Sequence, residues 1–588
     1  MSTLPPPPWP LTRTLVCMGV LVLLLEGLLL FAGNGGVLHG SLLDPDCYMH
    51  LQRALRLMTG GWQPGGFDPR VNAPFGFAIH WTSLFDSLLV AGARVLTVLG
   101  LTPRDALYLW GSLISPLLLV LALGVFAAGV RPWVHGPLFL WLTVLLFTQP
   151  QLSGAFFLGR VDHHSLILGL MLVQLAWLFA ISDGRALRTG LALPLALAAG
   201  AAAGVQLCTT IEALLTILFV SLVLALAWTA MARPVLGLLT AYWGACLGIV
   251  LAWLLLTRGP QFFEPLYDRV SVVHGLVLAA GTVSLACANF LPARILRPGS
   301  ARWAVLALVS VMAAAIVGAI YPAFFLGPWP NLAPAVKVWH REIGELQPLL
   351  PDSMPHLAAF LAQLAAAVLA LPLAVRRLRH GRAGERLPML ACLFGFCLFG
   401  VLSMAQMRWA GEVQVVMLLP WTLTTQALWR SELALPLGRR HIPLRSVLLM
   451  GALVVQIAPQ LLMPRTERVP QAAQTCDWHA AIQALALRQP QHGIVMTQLW
   501  WGPELLWRTG FDVVGAPYEI APALADTAIF EKASASAAQA VLARRHIGYV
   551  LTCGVARPAI MPALVPLPFA APGFHLYRTA LASSPAAR

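Results

Sequence analysis

Long apolar runs separated by short polar breaks dominate the chain. Thirteen of them have the length of a membrane crossing: 14–32, 106–128, 133–150, 165–182, 189–205, 207–230, 235–257, 271–293, 303–321, 357–375, 388–405, 410–429 and 446–463. A hydrocarbon core about 30 Å thick takes about 20 helical residues, so the pattern predicts a polytopic α-helical membrane protein. A fourteenth stretch, 84–100, is short and carries Arg94. It is expected to lie in the interface. The pattern changes after 463: short strands are predicted at 493–496, 512–514 and 549–551, and a helix over 533–545. Residues 1–463 are therefore read as a transmembrane domain with outer loops 33–105 and 322–356. Residues 464–588 are read as a small soluble α/β domain. No internal repeat is visible; inverted repeats would have favoured a secondary transporter.

Composition sharpens this picture. Of 588 residues 59% are hydrophobic and only 11% charged, with mean hydropathy +0.76, which excludes a soluble globular protein. The net charge of +14 does not point to nucleic acid, because the arginines cluster in short loops between apolar runs. With a cytoplasmic N-terminus and 84–100 not crossing, Arg131, Asp183/Arg185/Arg188, Arg233, Arg294/Arg297/Arg302, Arg376 to Arg386 and Arg430 to Arg445 all fall inside. If 84–100 crossed, every cluster would flip outside. The outer face then receives the loop 33–105, residues 159–164, the loop 258–270, the loop 322–356, Arg408 and the region 464–588. In a bacterium this is an inner-membrane protein with a periplasmic C-terminal domain. The first apolar run follows Arg13 and lacks a small-residue cleavage site, so it is read as an uncleaved span. The nine cysteines show no zinc spacing. Cys476 and Cys553 share the oxidising side, and the sequence leaves open whether they pair.

The polar residues that remain are few and gather on the outer face. Asp44-Pro45-Asp46-Cys47-Tyr48 opens an amphipathic helix over 46–59, where Asp46 suits both N-capping and the helix dipole. A plain cap is its bland interpretation. Gly159-Arg160-Val161-Asp162-His163-His164 sits at a membrane boundary, where ionisable groups are costly and usually functional. Asp162 and His164 can reach one divalent cation. The loop 322–356 carries Lys337, Trp339, His340, Arg341, Glu342 and Glu345; a loop this long is functional or disordered, and its aromatic residues argue against disorder. His80 is a candidate contact for an anion, and Trp81 an interface anchor. Arg408 needs an anionic partner: Glu412 one turn on, or a lipid-linked phosphate. Glu26 and Glu212 lie within apolar runs and are expected to face the bundle interior.

Taken together, these motifs resemble the catalytic subunit of oligosaccharyltransferases, within the wider group of polyprenyl-linked, C-type membrane glycosyltransferases. Asp46-Cys47-Tyr48 resembles the family's first-loop Asp-x-Tyr motif. Gly159-x-x-Asp162-x-His164 resembles the second-loop Asp-x-His motif, and Glu345-Leu346-Gln347-Pro348 the end of the mobile outer loop. Arg408 resembles the arginine that contacts the donor phosphate, and Trp500-Trp501-Gly502 the block that reads the acceptor. The order of the motifs is collinear over nearly the whole chain. Trp500-Trp501-Gly502-Pro503-Glu504 lacks the family's Asp and Tyr, which leaves the acceptor open: protein, lipid or glycan.

The resemblance implies an inverting transfer from a polyprenyl-(pyro)phosphate donor, supported by Mn²⁺ or Mg²⁺ at Asp46, Asp162 and His164. Asp46 would accept the acceptor's proton and Glu345 would close over the site. Arg408 and His80 would hold the donor phosphate, with Tyr48, Arg160 and His163 in support. His163 is expected to point away from the site, or to replace His164 as ligand. Trp500 and Trp501 would lie on the acceptor side. Single-sugar transfer to a lipid or polysaccharide is the main alternative. A transporter or flippase predicts polar residues near mid-membrane, and a purely structural scaffold leaves the Asp/His/Glu set unexplained.

Overall fold

A computed structural model describes residues 9–580 except 61–65, 80–81, 183, 185, 187–188, 230–234, 293, 297–298, 330, 431–433, 438–439, 463–475, 489–491 and 555–559. His80 and Trp81, and Asp183, Arg185, Arg188, Arg233, Arg297 and Arg439 of the arginine clusters, lie outside the described residues.

The predicted spans become helices. They are α1 (Leu11–Ala32), α4 (Pro103–Val130), α7 (His164–Ser182), α8 (Ala192–Thr209), α9 (Ala213–Thr229), α10 (Leu236–Arg258), α11 (Val272–Asn289), α12 (Gly299–Ile320), α14 (Met354–His380), α15 (Ala383–Ala405), α16 (Ala410–Trp429) and α17 (Leu444–Leu462). Between them lie the shorter α2 (Pro45–Thr59), α3 (Leu84–Val98), α5 (Leu138–Phe147), α6 (Pro150–Gly154) and α13 (Pro334–His340). Among the described residues, nine helices are long and apolar enough to cross a membrane, while α5 and α9 are shorter.

Three expectations change. The span 133–150 is not one helix: Gln149, which precedes Pro150, is extended (φ −93°, ψ 107°) and splits it into α5 and α6, because a residue before proline avoids the helical region. The run 207–230 breaks at Thr210 to Glu212, so Glu212 lies in a turn between α8 and α9 rather than inside a helix. The long outer loop is not bare: it folds into a short helical turn at Pro322–Leu326, α13, and a second turn at Gly344–Leu346. The segment 84–100 forms α3, whose fifteen residues span about 22 Å, short of the hydrocarbon core.

Close helix contact in a membrane needs small residues. On α8 Gly200 and Gly204, four apart, provide it: a Cβ on Gly200 would lie 2.1 Å from the Tyr242 carbonyl oxygen on α10. The fold has two ends. Helix α4, with 28 residues, is about 42 Å long. Its first turn lies against the C-terminal region, with Arg104 over the Trp507 ring at 5.1 Å. At its far end Arg131 donates to the Trp9 carbonyl at 3.1 Å.

The C-terminal region holds α18 (Trp478–Ala486), α19 (Gly502–Arg508), α20 (Ala521–Lys532) and α21 (Ala535–Arg544). Its strands follow the short loop hairpin β1–β2 (Phe67–Asp68, Phe77–Ala78) and the pair β3–β4 (Ala434–Leu437, Arg440–Pro443). They are β5 (Ile494–Met496), β6 (Asp512–Val513), β7 (Ile547–Cys553), β8 (Leu564–Leu567) and β9 (Phe574–Thr579), in the order β6-β5-β7-β9-β8. β5 runs parallel to β6 and β7; β9 is antiparallel to both β7 and β8. Sequence patterning predicted β5, β6, β7 and α21. Cys476 and Cys553 form a disulfide with Cα atoms 6.0 Å apart.

The sheet is joined to the first outer loop. Val71 bridges to Val513, with Val513 N–H donating to the Arg70 carbonyl at 2.9 Å and Ala73 N–H to the Val513 carbonyl at 3.1 Å. The fully buried Arg545 donates to the Ala73 carbonyl at 2.9 Å and to Asn72 Oδ1 at 3.0 Å, and its Nε lies 2.6 Å from Asp526 Oδ2. These bonds fix the loop that carries α2.

Candidate functional site

Helix α2 is started by Asp44, whose side chain accepts from Cys47 N–H at 3.0 Å, with Pro45 in the first turn. Proline suits that position because its missing N–H would have had no helical partner. The cap is therefore Asp44, and Asp46 in the first turn is left to face the cavity. The buried Tyr48 anchors the helix: its hydroxyl accepts from Leu42 N–H at 2.9 Å.

The second motif is shaped by Gly159, in the left-handed region (φ +83°), where a Cβ would meet Val37 at 2.4 Å. No other residue type fits there without strain. The turn delivers Asp162, fully buried, onto three partners. Arg160 Nη2 lies 2.8 Å from its Oδ2, His163 Nδ1 lies 2.8 Å from its Oδ1, and Ser165 Oγ donates to its carbonyl at 2.9 Å. Arg160 also pairs with Asp44, tying the two motifs together. Burial would raise the Asp162 carboxyl, but His164, His163 and Arg160 hold it well below the usual carboxylate range. The Asp46 carboxyl moves the other way: burial and the nearby Asp44, Asp162 and Glu345 push it well up.

Asp46, His163, His164, Glu345, Arg408 and Trp500 line one cavity of about 160 Å³. A neighbouring cavity of about 140 Å³ shares His164, Glu212, Glu345 and Arg408 and extends to Arg160 and Glu412. The two cavities are thus lined by six carboxylates (Asp46, Glu212, Asp268, Glu345, Glu412, Glu519) and three guanidiniums (Arg160, Arg269, Arg408), with Asp44 and Asp162 paired to Arg160. A larger cavity of about 240 Å³ lies behind Arg53 and Asp86. Three of its arginines are held by acids (Arg53–Asp86, Arg56–Asp68, Arg269–Asp268), and it contains none of the motif residues.

Glu345 is positioned by its neighbours. Gln347 Nε2 donates to the carbonyls of His340 and Ile343, and Met407 N–H donates to the Gln347 carbonyl at 2.8 Å. The loop end is thereby stitched to the segment that carries Arg408. On its other side Trp339 lies 6.1 Å from Trp500, centroid to centroid. Trp501 turns away: it stacks on Trp478 at 5.5 Å with His479 edge-on. The sequence pair Trp500-Trp501 is therefore split, with only Trp500 on the cavity.

Several residues depart from expectation. Arg408 is not paired with Glu412; its Nη2 lies 2.7 Å from Glu212 Oε2, because the turn before α9 brings Glu212 to the cavity. Glu26, by contrast, is buried in the bundle as expected and accepts from Leu158 N–H at 2.9 Å. His163 does not point away but faces Asp162. His50 was missed altogether. It lies one turn beyond Asp46 on α2, buried, with Nε2 3.2 Å from His163 Nδ1 and 3.9 Å from Asp162 Oδ1. Ligand atoms of His50, Asp162 and His163 lie within 4.8 Å of one another. The four-residue spacing from Asp46 was the available signal, since i and i+4 share a helix face.

No protein-family model matches the chain, and no curated protein matches it in sequence. Among solved structures it is similar to the oligosaccharyltransferase AglB from the archaeon Archaeoglobus fulgidus in complex with an inhibitory peptide and a dolichol-phosphate. The identity is 14%, over 92% of this chain and 69% of that one, with TM-score 0.65. The apo form of the Archaeoglobus fulgidus oligosaccharyltransferase aligns at 13% identity over the same shares, with TM-score 0.67. Its complex with Zn and sulfate aligns at 14% identity over 87% of this chain and 64% of that one, with TM-score 0.59. The chain is thus a polytopic α-helical protein with the fold of the C-type membrane glycosyltransferases.

Proposed function

We propose that the protein is a membrane glycosyltransferase that moves a sugar or oligosaccharide from a polyprenyl-(pyro)phosphate donor to an acceptor at the outer face, with a divalent cation. One observation carries this: Asp46, His163, His164, Glu345 and Arg408, from four separate segments, line one cavity, with Asp162 against His163. The fold neighbour solved with dolichol-phosphate and with Zn and sulfate supports a phosphate-bearing lipid donor and a cation. The disulfide in the C-terminal region supports an oxidising outer face for that side of the fold.

The donor set fits a cation. Carboxylate oxygens and ring nitrogens converge, and the excess of carboxylates over arginines leaves the cavity electronegative. Asp46, Asp162 and His164, with His163 adjacent, would hold Mn²⁺ or Mg²⁺. Bound there, the ion would supply neutralisation of the departing phosphate. The chain's own groups do the rest. Arg408 binds the donor phosphate. Asp46 faces the acceptor and takes its proton, on the side of the sugar opposite the leaving phosphate, which inverts the anomeric carbon. Glu345, on the loop end, orients the acceptor.

A lipid or glycan acceptor, with single-sugar transfer, is favoured by one feature. Trp501 is stacked away and Glu504 is buried between His479 and Arg508, at 2.6 Å from each. The test is turnover of polyprenyl-linked donors by the purified protein with and without Mn²⁺, for wild type, Asp46→Ala and Asp162→Ala. The expected result is metal-dependent transfer lost in both variants. Metal-independent transfer, or fully active variants, would overturn the site. Sequon peptides offered beside lipid and glycan acceptors decide the acceptor class.

A further inference from the structure

The His50 ring is held from behind. Its Nδ1 lies 2.7 Å from Asp86 Oδ1, and the other Asp86 oxygen lies 2.6 Å from Arg53 Nη2. Both His50 and Asp86 are buried. An imidazole that donates Nδ1–H to a carboxylate presents a lone pair at Nε2. That Nε2 looks toward His163 Nδ1 (3.2 Å) and Asp162 Oδ1 (3.9 Å), which are themselves 2.8 Å apart. These separations bracket the roughly 3.3 Å expected between two ligands that each stand about 2.0–2.1 Å from a tetrahedral metal. A carboxylate behind a histidine is the usual device that fixes tautomer and ring orientation at metal sites.

We propose that His50 is a ligand of the site's divalent cation, with Asp162 and with His163 in the place given above to His164, and that Asp86 is a positioning residue acting through His50. The proposal rests on the reading of this site as the metal-bearing centre of a glycosyltransferase. Two imidazoles beside the carboxylates make the site selective: imidazole suits the transition metals, whereas Mg²⁺ prefers oxygen ligands. The protein should therefore take Mn²⁺ or Zn²⁺ in preference to Mg²⁺.

The test uses the full-length purified protein with Mn²⁺ alone and Mg²⁺ alone, and reads bound Mn²⁺ by pulsed electron paramagnetic resonance, which detects coordinated imidazole nitrogen. Wild type is expected to show at least two coordinated imidazoles and to bind Mn²⁺ at least about tenfold more tightly than Mg²⁺. His50→Gln should lose one imidazole signal. Asp86→Asn keeps the ring in place without its carboxylate; it should retain the imidazole count while weakening Mn²⁺ by about 10–100-fold. An unchanged spectrum in His50→Gln, or Mg²⁺ bound as tightly as Mn²⁺, would overturn the assignment. An intact two-nitrogen spectrum in a protein that transfers no sugar would overturn the proposed function instead and leave His50 as a ligand.

Discussion

Arg408 Nη2 lies 2.7 Å from Glu212 Oε2, so the guanidinium assigned to the donor phosphate already has a carboxylate partner. Both side chains are partly exposed, and such a pair is worth about 1 kcal/mol. A donor phosphate must share Arg408 with Glu212 or displace it. Glu212→Gln is therefore expected to lower the donor KM by about fivefold, the equivalent of that 1 kcal/mol, with kcat little changed. Arg408→Lys keeps the charge but loses the two-pronged guanidinium and should raise the donor KM by about tenfold. Steady-state kinetics at varied lipid-linked donor checks both. A weaker donor interaction in Glu212→Gln would show that Glu212 holds Arg408 in its working position rather than competing for it.

A chelator should abolish transfer, and restoring Mn²⁺ should return it. The electrostatics of the cavity give the reason: Asp44, Asp46, Asp162 and Glu345 crowd together, and their mutual repulsion helps to push the Asp46 carboxyl well up. A cation relieves that repulsion. The same relief should appear as ligand-linked stability, rising by RT ln(1 + [M]/Kd). Thermal unfolding in increasing Mn²⁺ measures it without any substrate. A midpoint that does not move with Mn²⁺ concentration argues against a site in this cavity.

Much of this was legible in the chain because membrane crossing imposes a length and a polarity that hydropathy alone records. Eleven of the thirteen apolar runs became single helices; 133–150 failed where Pro150 forbids a helical Gln149, and 207–230 failed at the turn Thr210 to Glu212. The motif residues were legible for a related reason: a charge at a membrane boundary is expensive, so Asp46, Asp162 and Arg408 stood out. Tertiary partners were not. Glu212 looked like part of a span because apolar residues flank it, and only the turn at Thr210 brings it to Arg408. His50 looked like one polar residue on an amphipathic helix, and only the fold sets it against Asp162. Nor did any pattern announce that the loop at Val71 adds to the sheet at Val513, since a single bridge leaves no alternation to detect.

That junction makes a prediction of its own. Arg545 is fully buried and satisfies Asp526, Asn72 and Ala73 at once. Removing one partner of a buried ion pair costs about 3–5 kcal/mol, because the other charge is left uncompensated. Arg545→Ala should therefore release the loop around 66–79 from the sheet. Limited proteolysis is expected to cut that loop in the variant while the membrane helices stay protected. Transfer should fall as well, because the same loop carries α2 with Asp46. Arg545→Lys, which keeps charge but fewer donors, should fall between the two. An uncut loop in Arg545→Ala would mean that the Val71 bridge and Arg70, which donates to the carbonyls of Leu506, Thr509 and Phe511, hold it without Arg545.

The Cys476–Cys553 disulfide joins the start of α18 to the end of β7 across a sequence separation of 77. Closing a loop of that length restricts the unfolded chain by about 4 kcal/mol in the entropic account. The double variant Cys476→Ser/Cys553→Ser should lower the thermal midpoint of the C-terminal region, and dithiothreitol should do the same to wild type but not to the variant. The bond also reports sidedness. The seven free cysteines include Cys17, Cys208, Cys246, Cys287, Cys392 and Cys397 within apolar helices, so this pair is the part of the chain that a redox compartment can read. A structural disulfide persists in an oxidising compartment and is rare in the cytosol. Cells quenched with an alkylating agent before lysis should therefore yield Cys476 and Cys553 unmodified until reduction. If both are alkylated at once, the C-terminal region faces the cytoplasm, and the arginine-based orientation falls with it.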